Sequence, residues 1–85
     1  MDEENTPQFD AIEDALATQN YTLSHLWKSA RHTGLDWGAV ATHNSSGRKL
    51  EIYLPDDLVD RAIAAYDVED LYNVGEEIVA KGEPL

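Results

Sequence analysis

Eighty-five residues with no cysteine make one small domain with a thin core, stapled by neither a disulfide framework nor a thiolate metal site. Nine Asp and eight Glu stand against three Lys and three Arg, a net charge of −11, while 42% of residues are hydrophobic. Regular apolar spacing at that content excludes a disordered acidic tail, and so many carboxylates repel one another until counterions screen them. The opening MDEENTPQFD is unlike a signal peptide and no apolar run approaches bilayer-spanning length, so a cytoplasmic protein with no membrane partner is expected.

Residues 1–5 read as a frayed acidic tail and residues 6–85 as the domain. Thr6-Pro7 predicts a helix start, with the hydroxyl at N-cap and proline at N1. Phe9, Ile12 and Leu16 give that helix an apolar face, and Asn20 is placed as a left-handed stop. Thr22 opens a second predicted helix running to about His32. Its buried stripe would be Leu23, Leu26, Trp27 and Ala30, at i, i+3, i+4 and i+7, with Lys28, Arg31 and His32 off the stripe and Gly34 ending the helix.

Residues 35–43 admit two readings. As a helix, Ala30, Gly34, Leu35 and Val40 fit part of the helix-turn-helix spacing. As a strand, Trp37 to His43 pairs with Lys49 to Leu54 across Asn44-Ser45-Ser46-Gly47. Arg48 to Leu54 is the clearest strand, its inward Leu50, Ile52 and Leu54 alternating with outward Lys49, Glu51 and Tyr53. Pro55 closes it. Asp56 and Asp57 then sit in a helix's first turn, where the macrodipole favours carboxylates, ahead of an apolar face of Leu58, Val59, Ala62, Ile63 and Tyr66. Asp67 is positioned to cap a last helix whose buried face would be Val68, Leu71, Tyr72, Gly75, Ile78 and Val79, with Lys81, Gly82 and Pro84 ending it.

Charge is segregated along this chain. The window from Tyr21 to Lys49 holds Lys28, Arg31, Arg48 and Lys49 against Asp36 alone, +3, whereas the other residues carry sixteen acids against Arg61 and Lys81, −14. All three histidines and both tryptophans fall in the same window. Cations gathered in this way point to an anionic partner, because Lys and Arg neutralise phosphates and phosphates dominate nucleic-acid affinity.

The run RKLEIYLPDDLVDRAIAAY followed by DVEDLYNVGEEIVAKG resembles the ribbon-helix-helix family in its alternating strand, Pro-led acidic helix start and second amphipathic helix. The resemblance covers about two fifths of the chain. It implies a homodimer whose paired strands enter the DNA major groove through Lys49, Glu51 and Tyr53. A winged-helix arrangement is its neighbour, with Arg48 and Lys49 on the wing tip. Over the whole chain, richness in Asp and Glu with few Lys resembles proteins of halophilic archaea that accumulate salt.

Catalysis and metal binding find little in the chain. Asp56-Asp57, Asp67-Asp70 and Glu76-Glu77 stand at helix starts or on polar faces, and no serine lies in a nucleophile motif. His25 and His32, about 10 Å apart along a helix, are too distant to share an ion, so no cofactor is expected.

The expected fold is α+β and mostly helical, about four helices with a short strand or β-hairpin between two helical pairs. The expected function is that of a small homodimeric DNA-binding transcriptional regulator of halophilic type. Lys28, Arg31, Arg48 and Lys49 would contact phosphate, with His32 and Tyr53 at base or sugar. The alternative is an acidic protein-interaction module, or a mimic of nucleic-acid charge, that binds a basic protein and no DNA.

Overall fold

In the computed structural model, which describes residues 7–28 and 37–85, α1 (Pro7–Ala17) begins on the proline that its spacing marks. Thr6, the expected cap, lies outside the described residues. Ile12, Ala15 and Leu16 are the buried face of α1. A turn then brings the chain to Asn20, whose φ of 66° is the left-handed conformation that asparagine tolerates better than most residues. The chain leaves Asn20 directly as a strand.

Four strands follow, β1 (Tyr21–Lys28), β2 (Trp37–His43), β3 (Lys49–Leu54) and β4 (Glu83–Pro84), in one antiparallel sheet of order β1-β2-β3-β4. Between β3 and β4 stand α2 (Asp56–Ala64) and α3 (Val68–Ala80). One apolar cluster joins Ile12 and Leu16 of α1, Leu23, Ala39, Ala41, Ile52 and Leu54 of the sheet, Leu58 and Val59 of α2, and Val74 and Ile78 of α3. Three helices therefore cover one face of the sheet, and none of the described elements covers the other, a two-layer arrangement that buries each element's apolar side. The helix layer is tight at one point: a Cβ on Gly75 would stand 2.3 Å from the Ala15 carbonyl oxygen, so the approach of α3 to α1 there requires a residue with no side chain.

This architecture corrects the expectation of about four helices around a short hairpin. There are three helices among the described residues and a four-stranded sheet. The predicted second helix is the error, since Tyr21 to Lys28 is strand. Its pairing with β2 slips between Leu23, opposite Ala41, and His25, opposite Val40. The extra residue, Ser24, is a bulge. Leu23 and Leu26 both face the helices, as their partners Ala41 and Ala39 do, so a bulged strand reproduces the i, i+3 spacing of a helix. Ala30, Arg31, His32, Gly34 and Leu35 lie outside the described residues.

Of the two readings for the next segment, the hairpin forms, with Trp37 opposite Leu54 and Thr42 opposite Lys49. Farther on, Asp67 caps α3, its Oδ1 accepting from the Asp70 backbone N–H at 2.9 Å. The apolar faces drawn for the last two helices are too wide. Tyr66 is 95% and Val68 76% exposed, because α2 ends at Ala64 and both residues belong to the corner where α3 begins. Lys81 closes α3 in a right-handed conformation, and the chain continues into β4, pairing Pro84 with Leu50 and Glu83 with Glu51.

Candidate functional site

Of the basic window's four cations, the three described ones fall at two places, Lys28 at one end of the sheet and Arg48 with Lys49 at the other. Lys28, at the end of β1, lies 4.7 Å over the Trp37 ring and donates to Asp56 Oδ1 at 3.1 Å. Asp56 is the first residue of α2 and accepts from Trp37 Nε1 at 2.7 Å as well. That hydrogen bond first, then the one from Lys28, holds the Asp56 carboxyl below its ordinary value, as donors to the ionised form do. Lys28 is thus a partner of its own protein.

Arg48 and Lys49 sit at the opposite end of the sheet, exposed and in no ion pair among the described residues. Lys28 is level with Trp37 and Lys49 with Thr42, five residues along β2 and so about 17 Å away at the rise of an extended strand. The turn that carries Arg48 is fastened: His43 Nδ1 accepts from the Ser46 backbone N–H at 3.2 Å, and Asn20 donates to Ser45 Oγ at 3.0 Å. Arg31 and His32 lie outside the described residues.

Tyr53 projects from the open sheet face, as expected for the outward side of β3. Trp27, expected in the core, is there too, 39% exposed, because the bulge at Ser24 turns it outward. The two rings meet edge to face at 6.4 Å. Trp27 lies across Gly38, where a Cβ would stand 2.3 Å from the indole. Tyr53 donates its hydroxyl to Glu51 Oε2 at 3.0 Å, so a carboxylate stands beside the aromatic pair, where a phosphate would be repelled.

A second surface lies across the molecule, where the beginning of α1 meets the corner between α2 and α3. It is an open groove of about 590 Å³, with Ala11, Ile63, Tyr66, Val68 and Leu71 among its apolar lining. Asp10 and Asp14 of α1 and Asp67 of the corner line it as well, and no cation does among the described residues. Sequence spacing missed this groove by assigning Ile63, Tyr66 and Val68 to buried helix faces. The usable signal was Asp67 itself: a capping residue there breaks the helical run between Ile63 and Val68 and leaves the apolar residues around the break uncovered.

Among the described residues no group of three or more His, Cys, Asp or Glu is placed to hold a metal ion, and no helix is long and apolar enough to cross a membrane. Compared with protein-family models, curated proteins and solved structures, the chain matches none.

Proposed function

We propose that this domain is a non-catalytic interaction module that binds a basic protein, in preference to the DNA-binding role drawn from the charge pattern. The observation that carries this reading is the fate of the cations. Lys28 is held by Asp56, and Arg61, outside the window, makes a two-pronged pair with Glu77 at 3.0 and 2.6 Å. Among the described cations of the window, Arg48 and Lys49 remain as one pair without an acidic partner on a chain of net charge −11. Two phosphate contacts support little affinity, because each neutralised phosphate adds one increment of counterion release. Asp10, Asp14 and Asp67, by contrast, line an apolar groove, and a positive partner is what such a field attracts.

Electrophoretic mobility shift with a short fluorescent duplex, beside binding of a lysine-rich amphipathic peptide in the same salt, tests the choice. Peptide binding with no duplex shift is the expected result. A saturable duplex shift that Arg48→Glu with Lys49→Glu abolishes would restore the DNA-binding regulator, and the homodimer it implies would then be sought by sedimentation.

A further inference from the structure

We propose that the groove between α1 and the α2–α3 corner is the docking site for an amphipathic helical segment of a partner protein, one with lysine or arginine on both flanks of an apolar stripe. This rests on the reading of the domain as a binder of basic protein and gives that reading a location. Ile63, Tyr66 and Val68 are exposed side by side at one corner, an apolar patch of the kind that marks an interaction surface. The groove is walled on one side by α1 and on the other by the corner, so Asp10 and Asp14 stand on one bank and Asp67 on the other. Neither the Asp10 nor the Asp14 side chain has a hydrogen bond or ion pair among the described residues. An occupant carrying cations on both flanks meets a carboxylate on each bank while its stripe covers the corner, the helix-in-groove mode of recognition.

Charge selects this occupant over the others. A second copy brings its own net −11, and the chain's own residues 1–6 bring Asp2, Glu3 and Glu4; both are like-charged with the banks. A small molecule is disfavoured by shape, because the groove is open to solvent and a small ligand's affinity depends on being largely enclosed.

The test is fluorescence anisotropy with two labelled amphipathic helical peptides of identical leucine stripe, one flanked by lysine and one by glutamate. In about 0.5 M KCl the screening length is about 4 Å, so bulk attraction is suppressed and contact pairing is what remains. The lysine-flanked peptide is expected to bind the parent protein, and Tyr66→Ser with Val68→Ser to weaken it more than about tenfold. Asp10→Lys with Asp14→Lys should reverse the preference, losing the lysine peptide and gaining the glutamate one, which a merely structural effect would not do. Asp67 is left intact because it caps α3. Circular dichroism of each variant confirms that it is folded.

Parent-like binding by both groove variants, with loss in Trp27→Ser on the open sheet face, overturns the groove and leaves the basic-partner reading standing. No binding of the lysine peptide to any form overturns both. Tightening by more than about tenfold on deletion of residues 2–6 assigns the groove to the chain's own N-terminus and overturns the proposal. A dimer in sedimentation that Tyr66→Ser with Val68→Ser dissolves assigns it to a second copy, with the same consequence.

Discussion

Asp56 fastens three elements with one carboxylate: it opens α2, takes the Trp37 indole N–H from β2 and takes the Lys28 ammonium from β1. The indole N–H and the ammonium hold its pKa below the ordinary 3.8, and Arg61 holds Glu77 below 4.5 in the same sense. For a carboxyl lowered by folding, the stabilisation is complete above the unfolded-state pKa and is lost as pH falls through the folded one. Both groups are exposed, so solvent screening keeps each contribution small. Asp56→Asn is therefore expected to lower the urea midpoint modestly at pH 7. The gap from the parent should close by about pH 2, where both forms are uncharged at that position. Equal gaps at the two pH values would show that charge is not what Asp56 contributes. At this scale the sequence is at its most readable. The left-handed Asn20 and the capping Asp67 follow from short-range chemistry, which acts wherever the residues stand. The partners of Lys28 lie far along the chain, and no local rule finds them.

Among the elements, the crossing of α1 and α3 is the contact least able to change. In an exposed helix, Gly to Ala stabilises by about 1 kcal/mol. At Gly75 the added methyl meets Ala15 backbone at 2.3 Å, and backbone cannot swing aside as a side-chain tip can. Overpacking then decides the sign, and Gly75→Ala is expected to destabilise by about 1–3 kcal/mol in urea denaturation. A gain in stability would mean that the helices separate freely. Three of the expected elements form close to their predicted bounds, at α1, β3 and α3, because their periodicity is unbroken. β1 does not, because Ser24 adds a residue to the strand and shifts its alternation. With Leu23, Leu26 and Trp27 spaced as on a helix, the pattern carried the wrong period, and Trp27 went from core to surface with it.

Over the whole molecule, the described cations of the basic window lie apart. The strands that carry Lys28 and Lys49 place the two at opposite ends of the sheet. The basic turn expected in that window is present at Arg48 and Lys49, while Lys28 belongs to a strand and not to a helix face; the groove is assembled from residues at positions 7–14 and 62–71, a juxtaposition that needs the packed helices and of which the capping Asp67 is the one local sign. The net charge of −11 still acts on the folded state as a whole, since compaction brings like charges together and salt screens them. Raising KCl from about 0.1 to about 2 M is therefore expected to raise the thermal midpoint, as the acidic composition implies; a midpoint independent of salt would remove the link between that composition and a saline environment. The sheet order has a kinetic consequence. β1, β2 and β3 lie side by side in the order in which the chain runs, so their pairing closes only short loops. The meeting of Ala15 with Gly75 joins distant parts of the chain and belongs late in folding. Gly75→Ala should then steepen the loss of the native state through its unfolding rate and leave the refolding arm of the chevron near its parent position.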